Sequence, residues 1–505
     1  MTDFLHNMEL ALSTALVAEN LWYCLLGVTL GMIVGVLPGI GHLAAITMLM
    51  PLTFHVPTTA ALVMLAGIYY GAQYGGSVAS ILLNLPGTAS TAVTCLDGYP
   101  MTRQGRAGIA LFMTAVASFV GSILAVIVLI LLAPPLARVA LTFGSADYFA
   151  MMVLGLVATA TLVQGNPLIG VASVVIGLVL GLVGTDVNTG TLRFTFDIPQ
   201  LFDGVSIVAL AMALFGLSEV INSAGRRSGH TLRSENITLR SLIPTREDVR
   251  RSIAPILRGA GVGTGVGILP GAGGGSMASF MSYALEKRIS RTPEQFGHGA
   301  IEGITGPESA NNATSQAAFI PTLTLGIPGD AVMALMLGAL LIHGVQPGPR
   351  VVTENPELFW GLVGSFFIGN LILLVLNIPL VGIWVRILKI PYRYLFPTVV
   401  VLIGVGVYSI SYSYVDVLSV AVLGLAGYLL IQIGFEAAPM LLGYILGPLL
   451  EENFRRSLLL TDGDLMVFLT RPVSATFLAI SALAILWSVV SSLRARAKRA
   501  AGTPS

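Results

Sequence analysis

The chain has 505 residues, of which 55% are hydrophobic and only 10% are charged, and its formal net charge is +1. A soluble domain carries about 25% charged residues, because its surface must face water. The composition therefore excludes an ordinary soluble protein, and the balanced charge gives no indication of a nucleic-acid partner. It predicts an all-α polytopic membrane protein surrounded by membrane lipid.

The N-terminal segment, residues 1–20, has apolar residues at helical spacing and contains no Lys or Arg. A cleavable signal peptide begins with positive charge, which this segment lacks. We expect an amphipathic helix that lies at the membrane surface and leads into the first span.

Apolar stretches follow that are long enough to cross a bilayer. The clear ones are 107–133, 146–164, 167–185, 203–222, 358–388, 395–410, 415–433 and 473–493. Two further regions, 21–95 and 252–345, are apolar but interrupted by Gly, Pro, Asn, Ser and Thr. The sequence predicts roughly ten to twelve transmembrane or re-entrant helices in all.

Positive charge is concentrated in two segments, residues 225–258 and the C-terminal tail 494–505. Since basic segments remain in the cytoplasm, both are predicted to be cytoplasmic, as is the loop that holds Arg103 and Arg106. The loop of residues 186–203 is then predicted to lie on the opposite, non-cytoplasmic side of the membrane. The basic segment also divides the chain into two membrane halves, 21–224 and 259–493.

Three landmarks of the first half recur in the second half in the same order. Val34–Gly41 (VGVLPGIG) matches Val266–Gly273 (VGILPGAG), and Asn84–Thr88 (NLPGT) matches Gly326–Asp330 (GIPGD). Asp97–Pro100 resembles His343–Pro347. The pattern predicts an internal duplication. We expect the two repeats to be inverted in the membrane, although the helix count alone does not establish this.

Each Leu-Pro-Gly or Ile-Pro-Gly sequence should interrupt a membrane helix, because proline removes a backbone donor and clashes with the preceding turn. Such interruptions persist in a bilayer only where protein or a watery cavity surrounds them. Interrupted helices in matching positions of two halves are typical of a transporter site. The alternative is that the prolines and glycines only shape helix packing.

Small polar residues surround the interruptions, and helix ends and neutral side chains there could hold an anion. The predicted substrate-binding residues are Gly39, Gly41, Ser77, Asn84, Pro86, Gly87, Thr88, Ser90, Gly271, Gly273, Asn311, Asn312, Thr314, Pro328 and Gly329. For the Ser and Thr residues, hydrogen bonding between helices is the alternative role.

Acidic residues inside a membrane are costly and often functional. Asn84, Asp330 and Glu308 are predicted to hold a coupling ion. Asp330 follows a Pro-Gly pair, so it could equally cap the next helix. Asp97 and Glu302 are further candidates, and an interfacial position is the alternative for Glu302.

The sequence predicts no catalytic residues and no metal centre. Gly39–Ala44 and Gly273–Ala278 fit Gly-x-Gly-x-x-Ala, but neither follows a strand or precedes the acid of a dinucleotide site. No phosphate-binding loop with Gly-Lys-Ser/Thr is present, so ATP hydrolysis is not expected. An intramembrane enzyme, a channel and a structural scaffold remain the alternatives to a transporter.

These motifs resemble the large permease subunit of the tripartite tricarboxylate transporters. The resemblance rests on Gly35–Gly41, Tyr70–Ser77, Asn84–Gly87, Gly267–Gly274, Gly306–Asn312 and Thr324–Asp330, and extends over residues 20–490. It implies a multi-pass protein of the bacterial inner membrane, with a small membrane subunit and a periplasmic solute-binding protein as partners. It further implies uptake of citrate or related carboxylates coupled to Na⁺ or H⁺, with no other cofactor.

Overall fold

The computed structural model describes residues 2–37, 41–161, 167–186, 189–224, 239–269, 274–388 and 392–500. Nearly all of these residues are helical, which confirms the predicted all-α fold. Within the described ranges, the one sheet is a short antiparallel pair of β1 (Gly184–Thr185) and β2 (Leu192–Arg193).

The helices of the first half begin with the predicted N-terminal helix, whose place at a membrane surface stays a prediction. They are α1 (Thr2–Ala15), α2 (Ala18–Val36), α3 (Gly41–Leu49), α4 (Thr58–Leu83), α5 (Thr94–Arg103), α6 (Ala107–Ala140), α7 (Ser145–Thr161), α8 (Pro167–Gly181), α9 (Ile207–Ala211) and α10 (Ser218–Ala224). Short 3₁₀ turns at Met50–His55 and Ala89–Ala92 connect some of them.

The second half follows a similar order of long and interrupted helices. They are α11 (Arg246–Ile268), α12 (Gly275–Ile289), α13 (Glu302–Ala317), α14 (Phe319–Leu325), α15 (Ala331–Ile342), α16 (Pro349–Glu354), α17 (Pro356–Asn377), α18 (Val381–Ile387), α19 (Tyr392–Ser411), α20 (Tyr414–Gln432), α21 (Ala437–Leu460), α22 (Val467–Thr470) and α23 (Pro472–Ala500).

Among the described helices, α2, α6, α17, α20 and α23 are long and apolar enough to cross a bilayer by themselves. Shorter apolar helices accompany them, including α7, α8 and α15. On α20 and α23 most side chains face outward, so lipid or another chain must cover their apolar surface.

Several predicted bounds need correction. The 358–388 stretch is two helices, α17 and α18, and the 203–222 stretch contains a π-helical turn at Met212–Leu217. The sequence analysis did not predict helix α21, whose hydropathy is lowered by Glu451 and Glu452. In the basic segment, residues 225–238 lie outside the described residues, whereas 246–258 are the first turns of α11 and not a loop.

Two helix pairs pack with almost no side chains between their backbones. In each pair, three glycines spaced four residues apart face backbone atoms of the partner helix, α4 for α2 and α13 for α11. The glycines are Gly27, Gly31 and Gly35 on α2, and Gly259, Gly263 and Gly267 on α11. Small residues at this spacing let membrane helices approach closely. The two sets are offset by 259 − 27 = 232 residues, which equals the offset between Pro38 and Pro270.

Helices α4 and α13 cross in opposite directions in the buried core. Gln73 Nε2 donates to Ser315 Oγ over 3.3 Å. Ser77, one turn later in α4, donates to Glu308, which lies about two turns earlier in α13, over 2.6 Å. Rising residue numbers on one helix therefore meet falling numbers on the other, so the central helices of the two halves are antiparallel.

Ion pairs gather charged residues at the two ends of α6. At its start, Arg106 contacts Asp248 of α11 over 2.5 Å. Burial raises the pKa of the Asp248 carboxyl, but hydrogen bonds from Thr245 and Arg106 outweigh burial and hold it below its usual range. Beyond the end of α6, Asp147 accepts a hydrogen bond from Arg471 over 3.0 Å. The Arg106 loop and the start of α11 thus lie at the same end of α6, as the charge pattern predicts.

Asp97 connects α5 of the first half to the loop that precedes α13. Its carboxylate is fully buried and accepts hydrogen bonds from the backbone N–H groups of Gly297 and Gly299 at 2.8 Å and of Ala300 at 2.9 Å. The Tyr283 hydroxyl donates a fourth at 3.0 Å. Since all four donors belong to the protein, Asp97 has a structural role in joining the halves.

Replacing Asp97 with alanine should destabilise the protein by about 3 kcal/mol, because three backbone N–H groups, that of buried Ala300 among them, would lose a charged acceptor. Thermal unfolding of the purified protein in detergent measures the effect. Asp97→Asn retains one acceptor oxygen and should fall between wild type and Asp97→Ala. An alanine variant that unfolds at the wild-type temperature would contradict the structural role.

Candidate functional site

A cavity of about 320 Å³ lies where the two halves meet. Its volume is within the range of small-molecule sites. The first half contributes His42, Leu43, Tyr69, Gln73, Ala89, Ser90 and Thr159, and the second half contributes Gly274, Gly275, Ser276, Gly329, Asp330, Ala331, Val332, Glu436, Ala438, Pro439 and Leu442. The wall therefore combines the residues around the helix interruptions with the start of α21.

Four helices, α3, α12, α15 and α21, begin in this wall. A helix N-terminus exposes unpaired N–H groups and the positive end of the helix dipole, which favours anions. At α15 the Asp330 carboxylate already occupies this position and accepts a hydrogen bond from Met333 N at 2.9 Å. At α12 the N-cap residue is Gly274, which has no side chain to cap the first turn. No side-chain hydrogen bond caps the start of α12, but the Asp330 carboxylate lies beside it, since a Cβ atom at Gly274 would be 2.7 Å from Asp330 Oδ2.

The charged groups of the cavity are mostly negative. Asp330 and Glu436 are its two carboxylates, and no Lys or Arg is among the described lining residues. His42 is the one described lining side chain that can become cationic. A multiply charged anion could bind here only if a cation, protons or helix ends supplied compensating positive charge.

Residues 84–92, which follow α4, form a turn that we call the first-half tip. Hydrogen bonds among polar side chains hold this tip in place. Helix α4 ends at Asn84, whose left-handed backbone (φ 59°) reverses the chain. Beyond it, Thr88 caps the 3₁₀ turn at Ala89–Ala92 through reciprocal hydrogen bonds with Thr91. Gln73 Oε1 accepts from Ser90 Oγ at 2.6 Å and from Thr88 Oγ1 at 3.1 Å. The tip is thereby fixed to the middle of α4, and Ser90 is held in the cavity wall.

Residues 326–330, between α14 and α15, form the corresponding second-half tip, which is built in the same way with different residues. Helix α14 ends at Gly326, whose backbone is also left-handed (φ 72°). Asp330, aligned with Thr88, caps α15 and also accepts a hydrogen bond from Tyr69 at 3.2 Å. The structure therefore shows Asp330 as a helix cap, and its part in binding a coupling ion stays a prediction.

Asp330→Asn separates the two roles, because asparagine is also a good N-cap residue. We expect the unfolding temperature to change little and gradient-driven uptake to fall about tenfold, the effect of losing one charged hydrogen bond. Parallel measurements of thermal unfolding and vesicle uptake are needed. Normal uptake with normal cation dependence would leave Asp330 with the capping role alone.

Glu308 lies behind the cavity wall and is completely buried. Its carboxylate accepts hydrogen bonds from Ser77 at 2.6 Å, from Thr94, and from Asn311 Nδ2 at 3.4 Å. Asn312 Nδ2 donates to the backbone carbonyl oxygen of Glu308 at 3.0 Å. These four hydrogen bonds to the carboxylate and the backbone carbonyl of Glu308 thus come from neutral side chains, two from each half.

The structure distributes the predicted site residues over several environments. Ser90, Gly329 and Asp330 line the cavity, and Thr88 is hydrogen-bonded to Ser90. Ser77, Asn311 and Asn312 surround Glu308 instead. Gly41 begins α3 with a left-handed backbone. Gly39, Gly271 and Gly273 lie outside the described residues.

The remaining predicted residues do not line the cavity. Asn84 and Pro86 are exposed at the first tip, whereas Gly87 and Pro328 are buried in the two tips. Thr314 donates to the carbonyl oxygen of Gly263 at 2.9 Å, so it connects α13 to α11. For Thr314 the structure favours the alternative role of hydrogen bonding between helices.

The sequence analysis predicted only Ser90, Gly329 and Asp330 among the lining residues, and the residues that it missed include His42, Tyr69, Gln73 and Glu436. His42 directly follows the first Gly-x-Gly, so its position in the chain was a usable signal. Tyr69 and Gln73 lie one turn apart on α4, far from any interruption. Glu436 precedes α21, the helix that hydropathy did not reveal.

The chain is similar to known proteins over nearly its whole length. A protein of Agrobacterium vitis described as an uncharacterized 52.8 kDa protein in the TAR-I ttuC' 3' region is 48% identical over 496 residues, 98% of each chain. A second A. vitis protein, described as uncharacterized and located in the TAR-II ttuC' 3' region, is 51% identical over 234 residues, 46% of this chain and 96% of its own length. No solved structure matches.

The sequence profile of the tripartite tricarboxylate transporter TctA family matches residues 21–442, which include the helix interruptions of both halves and every described residue that lines the cavity. The predicted resemblance is thereby confirmed. This chain belongs to the tripartite tricarboxylate transporter TctA family.

Proposed function

We propose that this chain is the large permease subunit of a secondary transporter that imports tricarboxylates or related carboxylates, driven by Na⁺ or H⁺. The main support is the cavity between the two halves, where an uncapped helix N-terminus meets small polar side chains at two helix interruptions. This combination suits an anion that must bind reversibly, because helix ends attract it without a permanent buried cation.

The charge of the cavity favours cation coupling. Asp330 and Glu436 would face a carboxylate substrate at short range, and no described Lys or Arg lines the wall. Bringing an uncompensated anion beside two carboxylates in a low-dielectric site is strongly unfavourable. A co-transported cation or proton would remove this penalty, so the anion and the cation would bind best together.

The two halves are proposed to be inverted repeats. The antiparallel crossing of α4 and α13, the shared glycine spacing of α2 and α11, and the left-handed residues Asn84 and Gly326 all support this arrangement. Inverted repeats provide two related conformations, one open to each side of the membrane, around a fixed central site.

The proposed assembly contains a small membrane subunit and a periplasmic solute-binding protein that delivers the carboxylate. Its location is the bacterial inner membrane, with residues 225–258 and the C-terminus in the cytoplasm. The exposed apolar helices α20 and α23 give such a partner subunit, or lipid, a surface to contact.

Uptake of labelled di- and tricarboxylates into vesicles tests the proposal. The vesicles would carry this chain with its small partner, the binding protein would be added outside, and Na⁺ and H⁺ gradients would be imposed separately. We expect accumulation that requires the binding protein and one of the two gradients. Carboxylate flux that only equilibrates across the membrane would indicate a channel, and chemical conversion of the substrate would indicate an enzyme.

A further inference from the structure

A short segment between α8 and α9, residues 192–198, presents two aromatic side chains to the outside of the molecule. We call it the aromatic loop. Phe196 is 81% exposed and Phe194 is 54% exposed. Phe194, Phe196 and Asp197 all have left-handed backbones, with φ of 53°, 49° and 58°. Residues other than glycine adopt this conformation at a cost, so the surrounding structure must hold the loop in this shape.

Ion pairs and a buried side chain fix the aromatic loop. Asp186 Oδ2 contacts Arg193 Nη2 at 2.7 Å and Arg455 Nη1 at 3.0 Å. Arg193 Nη1 lies 3.0 Å from a carboxylate oxygen of Glu451 on α21. Thr195, between the two phenylalanines, points inward and is buried. The loop therefore has its shape before any partner arrives, which lowers the entropy lost on binding.

The aromatic loop lies at the end of the molecule opposite Arg106. Its ion-pair partner Glu451 lies about one turn before Phe454 on α21. The Phe454 ring is centred 5.2 Å from the ring of Phe149, which belongs to the first turns of α7, just beyond the end of α6. Helix α6 is 34 residues long and so spans about 50 Å, and Arg106 precedes its other end. With Arg106 in the cytoplasm, the loop lies on the non-cytoplasmic side.

The surface around the aromatic loop is acidic. Among residues 189–206 and 451–470, all within the described ranges, Arg456 is the one exposed base. The exposed acids there are Asp197, Asp203, Glu452, Asp462 and Asp464. At the opposite end Arg103, Arg246 and Arg250 are exposed. The positive-inside rule accounts for these bases, but acidic residues contribute little to orientation. Orientation in the membrane therefore does not explain the acidic surface.

We propose that the aromatic loop and the acidic residues around it form the docking surface for the solute-binding protein, which contacts them through a basic surface of its own. This inference rests on the proposed function and adds the place and the chemistry of that contact. Protein interfaces combine aromatic anchors with a polar rim, and opposite charges guide the two partners together. Lipid suits this surface less well, because anionic headgroups would repel the carboxylates.

The test compares F196A and D197K with the matched controls F280A and E247K in the vesicle assay. The measured quantity is the concentration of binding protein, loaded with a labelled carboxylate that the wild type accumulates, that gives half-maximal uptake. We expect it to rise about 10- to 100-fold in F196A and about tenfold in D197K. Excess binding protein should restore the wild-type maximal rate in both. Phe280 on α12 and Glu247 at the start of α11 are exposed but lie outside the docking surface, so their variants should match wild type.

A salt series adds a readout that a packing role of the loop would not give. Screening weakens attraction between exposed charges, so the wild-type half-saturating concentration should rise with ionic strength. This rise should be smaller in D197K and should persist in F196A, which keeps every charge.

The outcomes separate this inference from the proposed function. Normal uptake by wild type, together with a wild-type half-saturating concentration in F196A and D197K, would overturn the docking surface alone. A reduced maximal rate in F196A that excess binding protein does not restore, with no effect of D197K on half-saturation, would show that lipid covers the loop. If D197K fails to assemble, the half-saturating concentration of F196A decides. Absence of uptake by the wild-type assembly would overturn the proposed function, and with it this assignment.

Discussion

Leucine in place of Gly263 should prevent the protein from folding, whereas leucine in place of Gly261, two residues earlier on α11, should be tolerated. A Cβ atom at Gly263 would lie 2.8 Å from the Ala310 carbonyl carbon and Cα atom, closer than side-chain atoms approach a backbone. At Gly261 no atom of the described residues, apart from the local backbone of α11 itself, lies within 4 Å of the corresponding position. Overpacking commonly costs about 1–3 kcal/mol, and here rigid backbone leaves less room for adjustment.

The comparison is informative because both substitutions add the same apolar surface to the same helix. Yield of monodisperse protein and its unfolding temperature would be measured for each variant. Gly265, which also has open space at its Cβ position, provides a second tolerant site. Equal stability of the Gly263 and Gly261 variants would show that α11 and α13 are not in direct backbone contact.

Replacing Glu308 with glutamine should lower gradient-driven uptake by roughly two orders of magnitude while the protein stays folded, since about 3 kcal/mol of charged interaction would be lost. The carboxylate is buried among the hydroxyls of Ser77 and Thr94 and the amide of Asn311. Glutamine matches its shape, and the hydroxyls can rotate to accept the new N–H group. What changes is the ability of this position to carry a charge or a proton.

Exchange of labelled for unlabelled substrate without a gradient separates coupling from binding. If Glu308 serves coupling, Glu308→Gln should retain exchange far better than it retains accumulation. Ser309→Ala is a suitable control on the same helix, because Ser309 instead donates to the Ile256 carbonyl oxygen in the α11 contact. Full accumulation by Glu308→Gln would show that this carboxylate only organises the core.

Composition and spacing were sufficient to predict the general fold. Charged residues are so few that only a membrane protein fits, and Pro-Gly sequences fall where helices end. Hydropathy failed where polar residues share a long helix, as Glu451 and Glu452 do in α21. It also could not locate the turn after Asn377, since residues on both sides are apolar.

The candidate site was predictable near the interruptions and not elsewhere. Asp330 and Ser90 lie in the wall because a helix begins beside each of them. Tyr69 and Gln73 reach the same cavity from the middle of α4. The direction in which their side chains point depends on the rotation of α4 about its own axis relative to α13. A single sequence gives this rotation poorly, because α4 is apolar on nearly all sides and has no distinct polar face.

The glycine contacts also limit how this protein can move. With backbone against backbone, α2 cannot slide along α4, and α11 cannot slide along α13, without one chain passing through the other's carbonyl groups. The two helices of each pair must therefore move together as one rigid body in any conformational change of the protein. The short connections at Asn84 and Gly326, where left-handed residues turn the chain, lie outside both glycine contacts and are not constrained by them.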